Sequence, residues 1–189
     1  MVELFKNNTM TFVAGSSWQP DEDLFIEYFN QHPEVKLVIA PHVIDENHLV
    51  EIIRKLKRPY VRYTRADEKN VRKADCLIID CFGLLSSIYR YGEIAYIGGG
   101  FGVGIHNTLE AAVYGIPVIF GPKYQKFQEA IQLLEAKGAF SVKDYEELKT
   151  LIDRMLTDEV FLRESGMNAS NYVTGNAGAT DKIMSMINF

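Results

Sequence analysis

Short apolar runs punctuate the chain, separated by longer stretches in which apolar and polar positions recur at helical spacing. The runs are residues 11–14 (TFVA), 36–40 (KLVIA), 60–63 (YVRY), 76–80 (CLIID), 94–97 (IAYI) and 117–120 (PVIF). Most are continuously apolar, as strands covered on both faces of a parallel sheet are. Between and after them the spacing predicts helices over residues 21–31, 45–56, 84–90, 108–114, 124–136, 144–156, 159–172 and 179–187. The first follows Pro20 and carries acids in its first turn. The second places Ile52, Ile53 and Leu56 on one stripe, with basic residues at its end. The alternation predicts an α/β fold: a doubly wound, mostly parallel sheet of about six strands with right-handed crossovers. Ligands of such sheets bind outside the carboxyl ends of the strands, so the residues just after each run are the candidates for chemistry.

Composition narrows the partners. The 189 residues suit one α/β domain with a sizeable core and are short for two. A net charge of −5 weighs against a general nucleic-acid binder, because a polyanion would meet net repulsion. No stretch approaches the roughly 20 apolar residues of a membrane span, and no signal peptide opens the chain, so a soluble domain is expected. Cys76 and Cys81 lie in an apolar run and should face opposite sides of one strand as core residues, which suggests a reducing compartment.

The strongest feature is a glycine-rich loop. Gly98, Gly99, Gly100, Gly102 and Gly104 follow one apolar run and precede His106-Asn107-Thr108-Leu109-Glu110. Glycines let a backbone approach a ligand closely, and a helix start offers unpaired N–H groups to a phosphate or carboxylate. The plainer alternative is a turn that needs its glycines for packing. Asn107 and Glu110 likewise admit two roles: a helix cap, or a carboxylate that accepts two hydrogen bonds from a ribose. Ser16 stands after the first run and His42 after the second. Lys123 and Lys126 follow the last run, where they would add positive charge to the same rim. Each also reads as an ordinary turn or surface residue. Asp80 reads as a cap for the helix after it, Trp18 as a packing residue, and Asp144, Glu146 and Glu147 as a solvated helix face. The loop is neither G-x-G-x-x-G nor Walker A, and no zinc, metalloprotease or α/β-hydrolase motif is present.

Residues 91–100 (YGEIAYIGGG), 104–112 (GIHNTLEAA), 115–122 (GIPVIFGP) and 127–130 (FQEA) resemble the carboxy-terminal half of the 3-deoxy-D-manno-octulosonic acid (Kdo) transferases. These are glycosyltransferases with two Rossmann-like domains facing a cleft, the GT-B fold. The shared pattern is a glycine pair, H-N-x-L-E, G-x-P-V, G-P and F-x-E. Ser16 and Pro41 extend it towards the amino end. The resemblance implies that residues 1–189 form a single donor-binding domain, with the amino-terminal acceptor domain lying outside this chain. The implied donor is CMP-Kdo. Gly99, Gly100, Gly102, Gly104, His106 and Asn107 would hold its phosphate or carboxylate, Glu110 its ribose, Ser16 an anionic group, and Glu129 would lie near the sugar. The sequence departs from the family pattern at His42, Leu84, Lys123 and Lys126, at or near the same rim.

The resemblance further implies Kdo transfer to a lipid A precursor in lipopolysaccharide biosynthesis, at the cytoplasmic face of the bacterial inner membrane. Acceptor, membrane and the catalytic glutamate base would all be engaged through the other domain, so no catalytic residue is expected here and this chain alone should be inactive. A nucleoside monophosphate leaving group lacks the diphosphate that recruits Mg²⁺, and no acidic cluster is visible, so neither metal nor cofactor is expected. Two alternatives stay open: the donor domain of a UDP-sugar glycosyltransferase, and a non-catalytic nucleotide-binding module.

Overall fold

A seven-stranded, all-parallel sheet runs through the computed structural model, which describes residues 1–177. The helix predicted over 179–187 lies outside the described residues. The strands are β1 (Met10–Ser17), β2 (Val35–Pro41), β3 (Tyr60–Arg62), β4 (Cys76–Ile78), β5 (Ile94–Ile97), β6 (Val118–Phe120) and β7 (Ala139–Ser141), in the spatial order β3-β4-β2-β1-β5-β6-β7. The six predicted runs all become strands. The seventh, β7, escapes the pattern because Ala139-Phe140-Ser141 holds one large apolar residue and makes no apolar run.

The helices are α1 (Val2–Lys6), α2 (Gln19–Gln31), α3 (Glu46–Lys55), α4 (Glu68–Val71), α5 (Leu85–Ile88), α6 (Leu109–Ala112), α7 (Gln128–Glu135), α8 (Tyr145–Thr157) and α9 (Glu159–Asn176). Three predicted helices are shorter than their patterns. Residues 84–90 split into α5 and a 3₁₀ turn at Tyr89–Tyr91. Residues 108–114 yield only the single turn α6. Residues 124–127 form a turn before α7 begins.

Strand alternation sorts the core into two layers. Phe12, Ala14, Leu37, Ile39, Cys76, Ile78, Ile94, Tyr96 and Ile119 face α2, α3 and α8. Val13, Val38, Leu77, Ala95, Ile97, Val118 and Phe120 face the side holding α1, α6, α7 and α9. Burying each such large side chain contributes roughly 1.5–3 kcal/mol. Cys76 is fully buried in the first layer, while Cys81 lies beyond the strand and packs, half-buried, against the second.

The helix starts are made by local carboxylates. Asp45, Asp144 and Asp158 accept N–H bonds from His48, Glu147 and Phe161. Asp80 caps nothing. Its carboxylate instead receives the Thr64 N–H and hydroxyl (2.8 and 2.6 Å) and Arg62 Nε (2.9 Å), tying β3 to β4.

The topology fixes where a ligand can enter. β1 and β5 are neighbours, yet the chain leaves β1 for β2 on one side and β5 for β6 on the other. A crevice therefore opens at their carboxyl ends. Ser16, Ser17, Gly98 and Gly99 stand at its mouth.

Candidate functional site

The end of β1 is irregular. Its register against β2 shifts between Gly15 and Ser17, and Ser16 takes φ 52°, a left-handed conformation uncommon for serine. Strain of this kind tends to mark ligand sites. A neighbouring backbone explains the first glycine of the loop: a Cβ on Gly98 would lie 2.2 Å from the Ser16 carbonyl oxygen. A Cβ on Gly100 would meet Gly121 N at 2.5 Å. Gly99 and Gly104 adopt φ of 95° and 125°. Four of the loop's five glycines thus answer to the fold. Gly102 is the exception: it is exposed at the tip, and a Cβ there would meet nothing nearer than the Gly99 carbonyl oxygen at 3.7 Å.

Beneath the loop lies Asp21, in the first turn of α2 and 1% exposed. Its Oδ2 accepts the Gly99 and Trp18 N–H groups and its Oδ1 accepts the Tyr96 hydroxyl, all at 2.9 Å. Burial raises the Asp21 pKa, against the pull of these donors. The Gly99 amide is therefore occupied within the protein and does not face the crevice as an anion donor. The Gly102 and Gly104 amides are likewise turned inward, onto the Gly99 carbonyl. This corrects the expectation that these three glycines offer N–H groups to a ligand. They shape the loop instead. The expected helix start contributes little either, since α6 is one turn long and has only a weak dipole.

Three rings stack across the mouth. Trp18 lies on His42 with centroids 4.6 Å apart, and His42 on His106 at 4.4 Å, each pair inclined by 26°. Trp18 Nε1 donates to His106 Nε2 at 3.3 Å, which places the imidazole proton of a neutral His106 on Nδ1. Burial lowers the His106 pKa and the neighbouring His42 adds to this, while Asp21 and Glu110 oppose it. The turn bearing His42 is held by its own N–H to the Ser17 carbonyl (2.9 Å). Behind it, fully buried Glu22 receives the Ser17 hydroxyl and His48 Nε2, and His48 Nδ1 donates to the Val43 carbonyl, each at 2.9 Å. Burial opposes charge on His48, but Glu22 and the Val43 carbonyl outweigh it and raise its pKa.

Two cavities border these rings. One, of about 250 Å³, is lined by Ser16, Pro41, His42, Ile79, Cys81 and Leu85. The other, of about 530 Å³, is lined by His106, Asn107, Thr108, Phe127 and Glu129. Asn107 Oδ1 accepts the Leu109 N–H (3.0 Å) and its amide reaches Glu110 Oε1 at 3.2 Å, so the capping role is present in a loose form. Glu110 is half-buried and its charge bears on both His106 and Tyr89. Tyr89 is buried directly under Gly15, where any side chain would strike its hydroxyl. Lys123 bonds inward, its N–H to the Gly100 carbonyl and its Nζ to Gly102 O, both at 2.9 Å, and so ties down the tip of the loop. Lys126 is exposed on the turn before α7.

Of the residues read from sequence, Ser16, His42, His106, Asn107 and Glu129 thus line the two cavities, with Glu110 beside His106. Asp21, Trp18, Tyr89 and Tyr96 belong to the site without a sequence signal that says so. Acid in a first turn and a lone tryptophan signal a helix start and packing; only tertiary contact gives them these partners. Among the described residues no cluster of three or more His, Cys, Asp or Glu side chains is placed to hold a metal ion.

No protein-family model matches the chain. A 3-deoxy-D-manno-octulosonic acid transferase of Aquifex aeolicus is 33% identical over 151 residues, 77% of this chain and 41% of that protein. One of Rickettsia felis is 31% identical over 190 residues, 96% of this chain and 40% of that protein. The chain thus spans about two fifths of the length of these curated relatives. In fold it is similar to the C-terminal CMP-Kdo binding domain of WaaA from Acinetobacter baumannii, with a TM-score of 0.79 at 18% identity, covering 90% of this chain and 92% of that one.

Proposed function

The chain is a relative of the Kdo transferases that matches part of their length, and from that premise we propose that it is the donor-binding domain of such an enzyme, with CMP-Kdo as donor. The observation that carries the reading is the convergence of Ser16, His42, His106 and the glycine loop on the crevice between β1 and β5, with Glu110 alongside. An acidic sugar on a nucleoside monophosphate needs a base pocket, ribose contacts and a place for two negative charges. The smaller cavity, walled by Ile79, Cys81 and Leu85, suits a base. The larger, with His106, Asn107 and Glu129, suits the sugar. Glu110 is assigned to the ribose hydroxyls.

In Kdo transfer an acceptor hydroxyl must lose its proton while charge develops on the departing CMP phosphate. This chain's share is the second task. The histidine pair and Ser16 hold the phosphate, and the loop fixed by Asp21 and Lys123 keeps the site in one shape before the donor arrives. The base, the lipid A precursor and the membrane contact are assigned to the part of the transferase that this chain does not cover.

Titrating CMP, UMP and UDP against the chain, with the fluorescence of Trp18 as the signal, tests the reading. CMP is expected to bind tightest. Glu110→Gln is expected to weaken CMP binding roughly tenfold with an unchanged melting temperature, since an ionised acceptor is lost from the ribose. If UDP binds as well as CMP, the donor assignment fails. If Glu110→Gln shifts melting and leaves binding alone, Glu110 is a cap only.

A further inference from the structure

One apolar side chain at the crevice is left over by the fold. After β4 the chain runs through Cys81-Phe82-Gly83-Leu84 into α5, which begins at Leu85. Cys81, Leu84 and Leu85 pack against the core layer on the α6 side of the sheet. Phe82 does not join them. It is 81% exposed, and among the described residues every other phenylalanine is buried or half-buried. The next residue, Gly83, has φ 85°, a conformation that favours glycine, and reverses the chain there. Both ends of this bend are fixed: Asp80 is held by Thr64 and Arg62, and α5 packs by Leu85. The turn between them is uncrowded, since a Cβ on Gly83 would meet nothing within 4 Å. Phe82 nevertheless lines the smaller cavity, together with Ser16, Pro41, His42 and Ile79. Its ring thus borders the cavity while making little contact with protein.

Resting on the donor-domain reading, which gives this cavity to the base, we propose that Phe82 stacks on the nucleobase and sets how much the base adds to donor affinity. A base offers a flat π-face, and an aromatic ring that covers it removes apolar surface of both from water. An exposed ring at the border of the pocket has that surface to give, and the buried rings of the core do not. Stacking reads the face of the base and not its hydrogen-bonding edge. Phe82 therefore supplies affinity for a base, while the choice among bases falls to other groups.

The test is calorimetry of CMP against wild type, Phe82→Ala and Phe82→Trp, with ribose 5-phosphate as a competitor that lacks the base. Phe82→Ala is expected to weaken CMP binding roughly tenfold and to leave the affinity for ribose 5-phosphate as it was. Its melting temperature should match wild type, because an exposed ring supports little of the fold. Phe82→Trp is expected to bind CMP at least as tightly as wild type. CMP affinity untouched by Phe82→Ala, or a loss shared equally by CMP and ribose 5-phosphate, overturns the proposal and leaves the donor-domain reading standing. A loss in Phe82→Trp as large as in Phe82→Ala overturns it likewise, since a base would stack on either ring. Failure of CMP to bind wild type overturns both.

Discussion

Asp21 shows how one buried side chain can fix a loop. It satisfies two backbone N–H groups and a phenol in a place water does not reach, and so sets both the start of α2 and the position of Gly99. Removing a partner from a buried donor costs about 1–3 kcal/mol per group. Asp21→Ala, which strips three donors, is therefore expected to lose about 3 kcal/mol or more in urea unfolding, and Asp21→Asn about 1 kcal/mol. The carboxylate's raised pKa adds a pH signature. The folded state holds the Asp21 proton more tightly than the unfolded chain does, so wild type loses stability relative to Asp21→Asn as pH rises from the ordinary carboxylate value through the raised one. Asp21 was legible as an acid in the first turn of a helix. Its hold on a loop 78 residues away was not, because that contact exists only once β1 and β5 are side by side.

At the scale of elements, the apolar runs were legible as strands because both faces of a parallel strand are buried and leave an unbroken apolar signature. The short helices were not. The pattern at 108–114 is helical in period, but Gly115 at φ 71° turns the chain after one turn of α6, and α9 packs directly on that turn. A Cβ on Gly166 of α9 would lie 2.1 Å from the Gly115 carbonyl oxygen. Replacing glycine by alanine inside a helix ordinarily stabilises by about 1 kcal/mol. Here the obstacle is backbone, so Gly166→Ala is expected to destabilise by about 2 kcal/mol. Gly175→Ala, near the end of the same helix with open space around it, is expected to be neutral or stabilising. Paired thermal melts check both signs.

For the whole molecule, the proposed division between binding and chemistry makes a simple forecast. The chain is expected to bind CMP and to transfer no Kdo to a lipid A precursor in a radiolabel assay, because the base is assigned to the part of the transferase it does not cover. Measurable transfer by this chain alone would move the base into residues 1–189. The net charge of −5 describes the sum over the surface and not the field at any one crevice. The sequence by itself determined the α/β class, the run of strands, the crevice-facing loops and the kinship to Kdo transferases. These follow from local period and from motifs contiguous in the chain. Only the tertiary structure decided that most of the loop's glycines serve packing, that Trp18, His42 and His106 form one stack, and that Asp21 holds the loop. Those contacts join segments far apart in sequence, and a side chain's partners across a sheet are fixed by strand order, which no local pattern encodes.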